Sequence, residues 1–210
     1  MNKIVKVCGM TEADNIRQVD TLGVSLIGFI FYPKSPRCLC QLPKYLPVLA
    51  KCVGVFVNES KENVLMYADR FGLDYVQLHG NESPGYCRSL RSLGIRIIKA
   101  FSITSSKDLL ATFDYEGFCD YYLFDTPTVG YGGSGQQFDW NLLQSYNGDT
   151  PFLLSGGINP GSVKALNEFH HPRMAGIDIN SCFETSPGIK DAERIERFLK
   201  ELGFSPLNKS

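Results

Sequence analysis

Runs of β-branched and aromatic residues recur along the whole chain: Ile4–Val7, Leu26–Tyr32, Cys52–Val57, Tyr75–Leu78, Arg96–Phe101, Tyr121–Phe124, Phe152–Leu154 and Ala175–Ile179. Most are nearly continuous apolar stretches and not alternations. Strands buried on both faces of a parallel sheet read this way. Helical periods fall between them. Thr11–Asp14 has the form of a capping box ahead of Ile16, Val19 and Leu22. Ser60 opens a helix over Lys61–Phe71, with Val64, Leu65, Ala68 and Phe71 on one face. Asn159 and Pro160 begin another, and Asp191–Leu202 forms a last one that stops at Gly203. The weakest helices are the second, interrupted by Pro43 and Pro47, and the fifth, around Ser105–Thr112.

Strand starts are spaced by roughly 20–30 residues, one βα unit each. Eight such units with no break in composition predict a single domain over residues 1–210. The expected fold is α/β, a closed (β/α)8 TIM barrel. An open doubly wound sheet is the rival, and the regular spacing favours closure.

Composition narrows the picture. The 210 residues are 43% hydrophobic and 20% charged, enough for a substantial core and against disorder. A net charge of -1 removes any bulk attraction to nucleic acid or an anionic membrane, so an anionic ligand must be held by a local site. No apolar run approaches the ~20 residues of a membrane helix. The first eight residues lack the pattern of a signal peptide. Seven cysteines, an odd number without a C-x-x-C pair, and three histidines without metal spacing argue against a disulfide framework or a zinc site. The expectation is a cytoplasmic protein with reduced thiols.

In such a barrel the active site lies at the C-terminal ends of the strands. Cys8 ends the first run. Buried packing is the plainer role for a free cysteine, but a thiol at the barrel mouth can act as base or nucleophile. Asp125 ends the sixth run, where a carboxylate needs a partner or a function. Arg37 closes a loop stiffened by Pro33 and Pro36, and its fork suits a carboxylate. His79 either lines the pocket or caps the turn at Gly80 and Asn81. Gly156 and Gly157 lead from the seventh run into a capped helix. With Asn180 and Ser181 after the eighth, they occupy the places where barrels bind phosphate; a simple tight turn is the alternative. Asp178, inside the last run, orients that loop or bonds backbone N–H groups. Gly132–Gly135 forms a lid or a connector.

These segments resemble one family. Lys6-Val7-Cys8-Gly9-Met10, Gly28 to Arg37 with its Tyr-Pro-Lys-Ser-Pro-Arg core, Val53 to Asn58 and Val76 to Gly80 match phosphoribosylanthranilate isomerases. So do Gly132 to Gly135 with Phe138-Asp139-Trp140, Ser155 to Pro160, Gly176 to Ser181, and Pro187 to Asp191. The matches are collinear and cover nearly the whole chain. The resemblance implies a TIM-barrel isomerase of tryptophan biosynthesis with no cofactor and no metal. It makes Cys8 the general base and Asp125 the general acid. Arg37 becomes the holder of the anthranilate carboxylate, and the loops after strands seven and eight become the phosphate site. The implied partner is a small sugar phosphate, bound by a monomer or homodimer. Gln136, where many members have Lys, and Cys182, where a small residue is common, depart from the pattern.

Related phosphate-binding barrels are the nearest alternatives. Indole-glycerol-phosphate synthase calls for catalytic Lys and Glu at strand ends, and the histidine-pathway sugar isomerase for Asp in place of Cys8. A non-catalytic sugar-phosphate sensor would carry a decayed site, whereas Cys8, Asp125 and Arg37 all stand.

Overall fold

The computed structural model describes residues 4–39, 41–126 and 139–204. Eight parallel strands close into a barrel in chain order: β1 (Ile4–Cys8), β2 (Leu26–Ile30), β3 (Lys51–Phe56), β4 (Tyr75–Leu78), β5 (Ile97–Ser102), β6 (Tyr121–Asp125), β7 (Phe152–Leu154) and β8 (Met174–Ile179). Each coincides within a residue or two with an apolar run. Closure comes from β8 pairing with β1, which sets Lys6 beside Asp178 and Val7 beside Ile179. The open doubly wound alternative is thereby excluded.

Alternation along the strands sorts the side chains into two layers. Leu26, Val53, Tyr75, Ile98, Ala100, Leu123 and Leu153 fill the barrel interior. The opposite faces of the strands, with Phe29, Phe56, Tyr122, Phe124 and Phe152, pack under the helices. Inward positions nearer the C-terminal ends of several strands are polar: Cys8, Gln77, Asp125, Ser155 and Asp178. The same period that buries the core therefore delivers a ring of functional groups to one end.

The helices are α1 (Ala13–Thr21), α2 (Lys61–Phe71), α3 (Pro84–Arg91), α4 (Val163–Glu168) and α5 (Ala192–Glu201). Ser60 accepts a hydrogen bond from Asn63 N at the start of α2, as its sequence predicts. Asp191 does the same for Arg194 N at α5. Asn159 accepts from Gly161 N in the 3-10 turn that precedes α4.

Three expectations are corrected. The capping box at Thr11 does not form: Glu12 is the N-cap, with no side-chain bond, and the Thr11 hydroxyl donates to Gly188 O. Among the described residues no helix joins β2 to β3. There Asp20 instead accepts N–H bonds from Val48, Leu49 and Ala50, replacing the partners a helix would have supplied. The fifth connection, Ser106–Tyr115, is a 3-10 helix. α3 begins with a Ser83–Pro84 signal like that of Asn159–Pro160, but its buried face is only Cys87 and Leu90, a short period to read. A hairpin of β9 (Glu184–Ser186) and β10 (Ile189–Lys190) follows β8 and packs against the segment after β1, where Gly188 O accepts from Thr11 N.

Candidate active site

Three walls surround a cleft at the C-terminal ends of the strands. The first belongs to β1 and β8. Lys6 is wholly buried, and its Nζ donates to Asp178 Oδ1 at 2.8 Å. Ser155 Oγ donates to the other oxygen of Asp178 at 3.3 Å. Cys8 stands one alternation above Lys6, opposite Gly28 on β2. A methyl group on Gly28 would come within 2.8 Å of Cys8 Sγ and 3.3 Å of Lys6 Nζ. A bare glycine is what lets thiol and amine stand side by side.

The electrostatics follow from this packing. Burial favours the neutral amine of Lys6, but Asp178 and Cys8 outweigh it and hold the amine above its ordinary pKa. Burial pushes the Cys8 thiol up, Lys6 pulls it down, and burial prevails. A base at this position works best with a lowered thiol, and this packing does the opposite. A cation does adjoin it, as the chemistry of a base requires, but the closed-in site keeps the proton on sulfur.

Across the cleft, Asp125 ends β6 with its side chain 21% exposed. Its Oδ1 accepts from Thr126 N at 2.8 Å. His79 Nε2 lies 3.4 Å from its Oδ2, and Gln77 Nε2 donates to His79 Nδ1 at 2.8 Å. Gly156 and Gly157 hold left-handed backbone, φ 81° and 67°. A side chain on Gly156 would strike Thr126 and come within 3.0 Å of Asp125 Oδ1.

The third wall is built around Glu184. Arg37 is buried, and its Nε and Nη2 donate to Glu184 Oε1 and Oε2 at 2.8 and 2.7 Å. Lys190 Nζ donates to Glu184 Oε1 at 2.5 Å and to Asn180 Oδ1 at 2.6 Å. Burial raises the Glu184 carboxyl, but its bonds to Arg37 and Lys190 bring it below the ordinary value.

A family model described as N-(5'phosphoribosyl)anthranilate (PRA) isomerase matches residues 5–201. The chain belongs to that family. Its reaction is the isomerisation of N-(5'-phosphoribosyl)anthranilate in tryptophan biosynthesis. It is 52% identical over 199 residues to the N-(5'-phosphoribosyl)anthranilate isomerase of Phocaeicola vulgatus, covering 95% of this chain and 97% of that one. The phosphoribosyl anthranilate isomerase of Thermotoga maritima has the same fold, with a TM-score of 0.81 at 34% identity over 96% and 98% of the two chains. A phosphoribosyl anthranilate isomerase in complex with reduced 1-(o-carboxyphenylamino)-1-deoxyribulose 5-phosphate scores 0.78 at 31% identity, with the same coverage.

Among isomerase site residues expected from the sequence, Cys8, Arg37, His79, Asp125, Gly156, Gly157, Asp178, Asn180 and Ser181 all line this one cleft. Two of them, Asp178 and Arg37, have surroundings different from those expected, and His79 takes the first of its two expected roles. Asp178 serves Lys6 and Ser155. Arg37 is already paired with Glu184. The turn at Gly80 and Asn81 is held by Glu82 and Asn58, so His79 is free to face the cleft. Cys182 lines the cleft too. Gly132–Gly135 and Gln136 lie outside the described residues.

Gln77 is an addition to the lining, and Lys6, Glu184 and Lys190 stand behind it, bonded to Asp178, Arg37 and Asn180. Lys6 had a signal: a charge within an apolar strand, two residues before Cys8. The same signal at Lys99 marks a different role. That buried amine donates to the carbonyls of Leu78, Gly80 and Ala100 and pairs with Glu82, fixing the end of β4. Glu184 and Lys190 give no such warning, because they sit in an irregular segment after the last strand.

Proposed function

We propose that Cys8 and Asp125 are the base and acid of an Amadori rearrangement in this cleft. The observation that carries the reading is their placement on opposite walls, β1 and β6, of a single opening that also holds Arg37 and the glycine pair. In N-(5'-phosphoribosyl)anthranilate, Asp125 gives a proton to the ring oxygen as the C1–O bond breaks, leaving a Schiff base. Cys8 then takes the C2 proton, and the enolamine that forms tautomerises to the ketone. The product is 1-(2-carboxyphenylamino)-1-deoxyribulose 5-phosphate.

The substrate carries anionic groups at both ends, and so does the ligand of the solved relative. Arg37 meets the carboxylate, with Glu184 fixing the plane of the guanidinium. Backbone N–H groups around Gly156–Gly157 and Asn180–Ser181 take the phosphate. Two anchored ends hold C1 and C2 between acid and base. The reacting form of Cys8 is the thiolate, whose charge Lys6 meets and which uptake of the C2 proton neutralises.

The test is turnover of phosphoribosylanthranilate generated in situ, followed by loss of its anthranilate-type fluorescence. Wild-type protein consumes it. In Arg37→Ala the loss falls mainly on KM; an unchanged KM contradicts the carboxylate clamp.

A further inference from the structure

Gln77 projects from β4 on the same inward face as His79 and is 1% exposed. Its side-chain N–H donates to His79 Nδ1 at 2.8 Å, while its Oε1 is buried with no partner among the described residues. A buried acceptor without a donor costs about 1–3 kcal/mol, so the arrangement needs a reason. Turning the amide over supplies the alternative. Oε1 would then accept from a protonated Nδ1, leaving Nε2 bare in a neutral ring. That bare nitrogen would face Asp125 Oδ2 at 3.4 Å, with no N–H to meet the charge left once Asp125 gives up its proton. As the side chain actually stands, Nδ1 is the acceptor, and the ring proton sits on Nε2, pointing at Asp125.

We infer that Gln77 is a positioning residue for proton donation. It fixes the tautomer of His79 so that Nε2–H faces the oxygen of Asp125 that becomes charged. The inference rests on the role of Asp125 proposed above. When Asp125 releases its proton to the ring oxygen, its carboxylate is met by two N–H groups. Thr126 N already donates to Oδ1 at 2.8 Å. His79 Nε2 serves Oδ2, and 3.4 Å is a length that tightens when substrate closes the site. The orphaned Oε1 is the cost of aiming that donor. Neither residue exchanges a proton with substrate.

Ring-15N-labelled protein decides the first half without any turnover. His79 is one of three histidines, so its ring signals can be assigned with a single His79→Gln control. The expected spectrum has Nε2 protonated and Nδ1 bare. A protonated Nδ1 with a bare Nε2 overturns the inference. The second half is read from Gln77→Met, which keeps the shape and frees the tautomer, and from Gln77→Glu, which requires a proton on Nδ1. Both should lower kcat by roughly ten- to a hundredfold, the scale for losing a group that orients an acid–base partner, with KM within about twofold. An undiminished kcat in the folded Gln77→Glu protein, or a loss confined to KM, overturns it. Failure of the acid role itself would appear separately, as full activity in Asp125→Asn.

Discussion

Cys8 is a thiol whose ionisation is set by two opposed neighbours, the apolar packing that raises it and the Lys6 cation that lowers it. The sign of the pH response follows. The reacting form gains as pH rises, so kcat/KM of the free enzyme should climb on the alkaline side, with its inflection above the ordinary thiol value. Lys6 acts on the thiol more strongly than Asp178 does. The double variant Lys6→Met/Asp178→Asn, which leaves no buried charge unpaired, should therefore move that inflection to higher pH and slow the reaction at neutral pH. An inflection that stays in place contradicts the role given to Lys6. Cys8 and Asp125 are legible in the sequence because each closes an apolar run at the barrel mouth. The Arg37–Glu184 pair is not, because its partners are 147 residues apart and meet only once the barrel has closed.

At the level of elements, the strands are the most legible part, since burial on both faces leaves long apolar runs. Helices are legible where local chemistry starts them. Ser60 caps α2 directly, and Ser60→Ala should cost about 0.5–2 kcal/mol in urea unfolding with kcat unaffected. Thr11 is the counter-example. Its hydroxyl is drawn to Gly188 O by the hairpin after β8, and a contact of that range leaves no trace in local sequence. The connection from β2 to β3 fails as a helix because prolines break it and Asp20 gathers its N–H groups. Gly156→Ala belongs to this scale as well. Left-handed backbone and the approach of Thr126 both oppose a side chain there, so the variant should lower kcat and raise KM together by shifting acid and phosphate loop at once. A change confined to thermal stability contradicts that coupling.

The whole molecule is a ring closed by β1 and β8, and the closing seam contains the Lys6–Asp178 pair. The hairpin behind it is tied down by Glu184, whose carboxyl ionises more readily folded than free. A depressed carboxyl pKa adds stability above the ordinary value of 4.5, and that stability is lost as pH falls through the folded value. Thermal stability should accordingly drop on the acid side, and Glu184→Gln should flatten that part of the profile. An equally steep profile in the variant contradicts the assignment. The barrel and the cleft at its mouth are legible from strand spacing and glycine placement. The balance of three cations (Lys6, Arg37, Lys190) against the acids Asp178 and Glu184 becomes visible only in three dimensions.

The central claim is that Cys8 and Asp125 divide the proton transfers between them. It is tested most directly by kcat for phosphoribosylanthranilate in Cys8→Ala and Asp125→Asn, each checked for an intact fold by circular dichroism. The expected result is a loss of about 10²–10⁴ in both. A rate within about twofold of wild type in either variant would contradict the assignment of that residue.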